Sequence, residues 1–193
     1  MQETMLRLLP NRAGHFLYES GHHGDRWLDL DALWTRPARL RPALVELGRR
    51  LAGHDIDGIC GPLTGGAFVA LAITAELDLP CFVTERIVEP GNGPVRYALP
   101  AALREQVRGR RLVVVDDAIN AGSATGGTVA ALDAAGAITV AIGALLTLGE
   151  RPHALATARG VPLESIARLP SNLWLPAACP LCRDGIPLES LVR

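Results

Sequence analysis

Two adjacent carboxylates, Asp116 and Asp117, follow the apolar run Leu112-Val113-Val114-Val115 and precede a loop of small residues, Asn120-Ala121-Gly122-Ser123. Paired acids can accept hydrogen bonds from a diol or hold the outer sphere of a magnesium ion. Small residues at a helix start leave backbone N–H groups and the positive end of the helix dipole free for a phosphate. Gly122 would let the backbone approach that phosphate closely. A ligand with both hydroxyls and a phosphate suits this stretch. A second candidate loop lies earlier, at Gly61-Pro62-Leu63-Thr64-Gly65-Gly66. Alone, it reads as a tight strand-to-helix turn. Two such units in one chain point instead to a ligand carrying two phosphate groups.

The elements that must position these residues follow from the patterning. The β-branched run before Asp116 predicts a strand buried in a parallel sheet, with a helix from Ala124 to Gly136 after the loop. Residues 56–60 predict a first core strand, and Ala67–Leu77 a helix behind the glycine loop. Leu40, Leu44, Leu47 and Leu51 recur at helical spacing, predicting an amphipathic helix over Pro42–Leu51 that Gly53 closes. Further strands are expected at Pro80–Arg86, Ile138–Leu146 and Leu163–Leu169, the last at an edge, with a helix over 150–160. Residues 1–18 predict a short helix with Leu6, Leu9 and Phe16 as contacts. Between Ile87 and Leu99, Pro90, Gly91, Asn92, Gly93 and Pro94 predict a flexible, hairpin-like loop.

Composition bounds the function. The 193 residues suffice for one well-buried α/β domain. A net charge of −1 gives no reason to expect binding to nucleic acid or anionic membrane. No apolar run is long enough to span a bilayer and no signal peptide is evident, so a cytoplasmic protein is expected. The chain has no lysine: all 19 basic residues are arginine. Arginine can neutralise an anion bidentately but holds its proton too tightly to act as a general acid.

The stretch from Leu112 to Thr125 resembles the motif that binds phosphoribosyl pyrophosphate (PRPP) in type I phosphoribosyltransferases. The similarity extends to the N-terminal Phe16, Ser20-Gly21 and Trp27 and to a CPLC-x-x-G-x-P-L tail, Cys179 to Leu188, and is nearest to orotate phosphoribosyltransferases. It implies an α/β fold, a parallel sheet flanked by helices with a small N-terminal hood. A single domain over 1–193 is expected, its hood from about residues 1–35 and its flexible loop from about 87–100. The implied reaction joins PRPP and a nucleobase, most consistently orotate, giving a nucleoside monophosphate and pyrophosphate. By resemblance Asp116 and Asp117 contact the ribose, Asn120, Ala121, Gly122, Ser123 and Ala124 hold the 5′-phosphate, and Leu63, Thr64, Gly65 and Gly66 take the pyrophosphate. Ser20, Arg26 and Trp27 would face the base, with Mg2+ arriving on PRPP and a homodimer as the assembly.

Departures from that pattern matter. Asn120 stands where the family usually has Thr, Ser or Ala, and Ala124 where a hydroxyl is usual; Ser123 and Thr125 are the available substitutes. The family's loop lysines are absent, leaving Arg86, Arg96 and Arg104 as cationic candidates. Leu148 occupies the place of the arginine that contacts the orotate carboxylate, with Arg151 three residues on and Arg26 as another source of charge. A PRPP-binding regulator without turnover, or transfer to another base such as a purine, are the alternative readings.

The remaining chemistry-bearing residues are the His22-His23 pair and four cysteines. A structural zinc site needs two ligands beyond Cys179 and Cys182, and no second CxxC exists. Cys60 and Cys81 fall in core strands as small apolar groups. No direct protein ligation of a metal is expected.

Overall fold

The structure, a computed structural model, describes residues 1–18, 20–88 and 95–190. In chain order the elements are α1 (Gln2–Arg7), β1 (Asn11–Leu17), β2 (His23–Leu28), α2 (Asp31–Trp34), α3 (Arg41–Leu51), β3 (Gly58–Pro62), α4 (Gly65–Leu77), β4 (Cys81–Ile87) and β5 (Arg96–Ala98). There follow α5 (Arg104–Val107), β6 (Arg111–Ile119), α6 (Ser123–Ala134), β7 (Ile138–Leu148), α7 (Arg151–Arg159), β8 (Leu163–Leu169), β9 (Leu173–Trp174), α8 (Pro180–Arg183) and β10 (Glu189–Ser190).

The larger sheet is six-stranded, in the order β5-β4-β3-β6-β7-β8. Its strands pair in parallel except β5, which returns antiparallel to β4. Leu112 to Val115 of β6 are all fully buried, because helices cover the sheet on both faces and no residue of the run meets water. One face packs on α3 and α4 through Leu44, Leu47, Leu51, Val69 and Ile73. Gly48 permits the close contact of those helices: a Cβ there would stand 2.9 Å from Ile73 Cγ2. The other face packs on α5 and α6 through Val107, Val129 and Leu132. As expected, β8 is an edge strand. Cys60 is buried among apolar neighbours, and burial pushes its thiol up to about 12.

Three local expectations are corrected. Residues 1–18 are not one helix: α1 ends at Arg7 and Phe16 lies on β1, fully buried. Gly53 does not close α3, which runs on into a 3-10 turn; the left-handed residue after it is Asp55, at φ 54°. The strand before the glycine loop is shifted two residues on, to Gly58–Pro62. Strand β7 starts at Ile138 as expected but runs on to Leu148, two residues past its expected end.

The smaller sheet has the order β10-β1-β2-β9. The hood is therefore not built from the N-terminal segment alone. Strands from the C-terminal tail flank the β1–β2 hairpin on both sides, β10 parallel to β1 and β9 antiparallel to β2.

Candidate functional site

Parallel pairing puts the carboxyl ends of β3, β6 and β7 at one edge of the large sheet, where ligand loops gather in open α/β folds. Asp116 and Asp117 lie within β6 near this end, each 7% exposed. Asp116 accepts from Thr125 Oγ1 at 3.3 Å and from the backbone N–H of Asp117 at 3.1 Å. The Thr125 hydroxyl is thereby turned to the acid rather than left free for a phosphate. Asp117 accepts from the Ala118 N–H at 2.7 Å and from Trp34 Nε1 at 3.5 Å. Burial holds both carboxyls above the usual carboxylate range, and the neighbouring Asp117 raises Asp116 further.

Chain reversal after β6 depends on Gly122, which sits at φ 80° immediately before α6. Its role is doubled by Leu155, whose Cδ2 would lie 3.0 Å from a Cβ there. The helix begins at Ser123, so the backbone N–H groups of its first turn face the loop. The glycine loop approaches the same place from β3. A Cβ on Gly65 would stand 2.1 Å from Asp117 Oδ2, so only glycine lets this loop close over the acid. The Leu63–Thr64 peptide is cis, and both residues are exposed. The two loops thus meet at Asp117 rather than on opposite sides of the molecule.

A cavity of about 710 Å³ opens beside them. One wall is Asp116, Asn120 to Thr125 and Tyr97; the facing wall is the hood, with Tyr18, Ser20, Trp27, Asp29 and Asp31. Tyr18 and Trp27 stack at 6.3 Å between ring centroids, and Trp27 also meets Phe16 at 6.0 Å. The Tyr18 ring covers Gly24, where a Cβ would lie 2.2 Å from it. Its hydroxyl donates to the Arg26 carbonyl, and burial with Asp25 nearby raises its pKa.

Several expected site residues fall elsewhere. Arg26 does not line the cavity: strand alternation turns it away from the Trp27 side, and its Nη1 donates to Asn11 Oδ1 at 3.2 Å. Gly65 abuts Asp117, but none of Leu63 to Gly66 lines the cavity. Arg86 and Arg96 are exposed on the stems of the β4–β5 hairpin and do not line it either; Pro90 to Pro94 at its tip lie outside the described residues. Trp34 and Tyr97 were not singled out from the sequence. The first is a donor reaching Asp117 from a segment distant in sequence, and the second faces the loop only because β5 folds against α6.

No family model matches the chain. Its backbone superposes on the crystal structure of orotate phosphoribosyltransferase from Aeropyrum pernix with a TM-score of 0.63 at 24% identity, covering 84% of this chain and 89% of that one. It also superposes on adenine phosphoribosyltransferase from Trypanosoma brucei, solved with AMP, pyrophosphate and ribose-5-phosphate, with a TM-score of 0.69 at 16% identity, covering 86% and 78%. The chain has the type I phosphoribosyltransferase fold. In sequence it is similar to the orotate phosphoribosyltransferase of Caldanaerobacter subterraneus subsp. tengcongensis, 27% identical over 175 residues, or 91% of this chain and 86% of that relative.

Within the phosphoribosyltransferase fold, Leu148 is the residue most at odds with the orotate pattern. It lies at the end of β7, 4% exposed, within the same buried apolar cluster as Leu44, Leu47 and Leu51, and it does not line the cavity. Arg151 instead reaches the hood, where its Nη1 lies 3.1 Å from His22 Nε2. His22 Nδ1 in turn lies 3.2 Å from Ser20 Oγ.

Proposed function

We propose that this chain is a phosphoribosyltransferase that forms a nucleoside monophosphate and pyrophosphate from PRPP and a nucleobase, with orotate as the base. The observation that carries this reading is the shared cavity. One wall is the loop and helix start after two buried acids; the other is an aromatic hood. The similarity to orotate phosphoribosyltransferases over nine-tenths of the chain supports the same base.

The chemistry assigned to the site is displacement at C1 of the ribose. A ring nitrogen of the base, its N–H proton released to solvent, donates its electron pair to C1 as the C1–O bond to pyrophosphate breaks, through an oxocarbenium-like state. Asp116 and Asp117 accept hydrogen bonds from the ribose hydroxyls and place negative charge near C1. Backbone N–H groups over Asn120 to Ala124 hold the 5′-phosphate, and those of Leu63 to Gly66 the pyrophosphate. Trp27 and Ser20 receive the base, and Arg86 and Arg96 offset charge on the leaving group. Catalysis of this kind is positioning and electrostatics rather than proton transfer, which suits a chain without lysine.

Mg2+ fits the acid pair: two buried carboxylates with raised proton affinity gain from a nearby divalent charge, and both are hard oxygen donors. Bound with PRPP, it supplies charge neutralisation to the pyrophosphate. A homodimer is proposed as the assembly, supported by exposed Leu63, Phe68 and Leu71 around the start of α4. A cytoplasmic setting is proposed as well; among the described residues no helix is long and apolar enough to cross a membrane.

A second reading has its own observation. Among the described residues lining the cavity, Asp29, Asp31 and Asp116 are acids and none is Arg or Lys. Such a wall suits a base that donates hydrogen bonds, such as a purine, better than a carboxylate. Pyrophosphate release measured across orotate, uracil, adenine and hypoxanthine decides the base. In the same samples, Mg–PRPP at a hundredfold excess over its Kd should stabilise the fold by about 2.7 kcal/mol. Release with orotate supports the first reading and release with a purine alone the second. Thermal stabilisation without release from any base would make the chain a PRPP sensor, and no stabilisation at all would remove PRPP as its ligand.

A further inference from the structure

The β1–β2 hairpin and the C-terminal tail bring four ligating side chains to one point, away from the acids of the cavity. His15 of β1, His23 of β2, and Cys179 and Cys182 at the start of α8 each present one ligand atom, all within 4.8 Å of one another. His15 Nε2 lies 3.1 Å from His23 Nδ1, 3.4 Å from Cys179 Sγ and 3.7 Å from Cys182 Sγ, while Cys182 Sγ lies 3.2 Å from His23 Nδ1. Around a tetrahedral zinc with Zn–S near 2.3 Å and Zn–N near 2.05 Å, neighbouring donor atoms stand about 3.3 to 3.8 Å apart. These four separations match that polyhedron to within a few tenths of an ångström, and all the donor atoms lie within 4.8 Å of one another.

Three further features point to a ligand. The first is orientation: His15 Nδ1 donates to the Ile186 carbonyl at 2.8 Å. A carbonyl can only accept, so the proton sits on Nδ1 and the Nε2 lone pair faces the cluster, as in metal-bound histidines held by an outer hydrogen bond. The second is burial. His15 is 1% exposed, His23 6% and Cys179 4%, and among the described residues the facing atoms of this cluster find one another rather than other polar partners. Cys182, by contrast, is exposed and leaves a path for an ion to enter. The third is backbone: β1 carries one extra residue relative to β2 between Ala13 and Phe16, a bulge that re-aims His15 toward the tail.

We propose that His15, His23, Cys179 and Cys182 form a structural Zn2+ site of the His2Cys2 type. It clips the tail to the hood and thereby holds the wall that Tyr18, Ser20 and Trp27 present to the cavity. The small sheet needs such a clip. Strands β9 and β10 have two residues each, and a sheet of this size buries too little apolar surface to be stable unaided. Two nitrogens and two thiolates in a tetrahedral, closed site select Zn2+ over oxygen-seeking divalent ions. This proposal departs from the expectation of no direct metal ligation. The missing ligands come from a hairpin 156 to 167 residues away in sequence, not from a second CxxC.

The test is metal content, which does not depend on the transferase reading. Protein purified without chelators is analysed by native mass spectrometry and by elemental analysis. One zinc per chain is expected in the wild type and in the control variants His22→Ala and Cys60→Ser, and loss of it in His15→Ala and Cys182→Ser. Co2+ added to the zinc-free wild type should give the thiolate charge-transfer absorption and the visible bands of tetrahedral cobalt. That spectrum decides the matter even if the cysteine variants fail to fold. Zinc-free native protein that gives no cobalt–thiolate band would overturn the proposal, as would a Cys179–Cys182 disulfide in the native protein. Zinc retained by a folded Cys182→Ser variant would overturn the ligand set.

Discussion

Asp116 and Asp117 carry their negative charge at a cost, because they are buried side by side. Their folded pKa values lie above the ordinary 3.8, so the native state binds more protons than the unfolded chain wherever pH lies between the two values. Stability from these groups is present at low pH and is lost as pH rises through the folded pKa. Asp116→Asn should therefore raise the melting temperature of the ligand-free protein at neutral pH and flatten its pH dependence, while weakening the stabilisation by Mg–PRPP. Thermal unfolding from about pH 5 to 8, with and without ligand, checks both effects. Leu148 makes the opposite case. Restoring the family's arginine with Leu148→Arg should not improve orotate transfer, because the side chain would enter an apolar core. A loss of about 3 kcal/mol or more is expected, read from denaturant unfolding.

Among the elements, β6 and α6 were the most legible. An unbroken β-branched run, two acids and a small-residue loop admit few alternatives, and α6 begins within a residue of its expected start. Strand β1 was not legible. Its sequence, Asn11-Arg12-Ala13-Gly14-His15-Phe16-Leu17, lacks clean alternation because a bulge interrupts the register, and it takes its pairing partners from β2 and from β10 near the other end of the chain. Local pattern cannot report a partner that distant. The hood consequently depends on the tail. Removing residues 176–193 should leave the six-stranded sheet folded but speed amide exchange throughout β1 and β2, measured by hydrogen–deuterium exchange. Unchanged protection in β1 would show that the hairpin holds itself.

Across the whole molecule, Leu63, Phe68 and Leu71 are exposed around the start of α4, with Phe68 packed on Trp34 at 5.2 Å. If the chain pairs through this face, Leu71→Arg should halve the mass seen by light scattering while leaving the circular dichroism spectrum unchanged; a wild type that is monomeric at every concentration would exclude pairing. What the residues decided by themselves was local: strand, acid pair, glycine turn and helix follow from β-branched runs and backbone freedom, all set within a few residues. Tertiary structure alone decided which distant groups meet. It set Gly65 against Asp117, sent Arg26 and Leu148 away from the cavity, and carried two histidines to two cysteines at the far end of the chain. Those encounters depend on strand order and register, which arise from packing the whole core and leave no mark in the spacing of neighbouring residues.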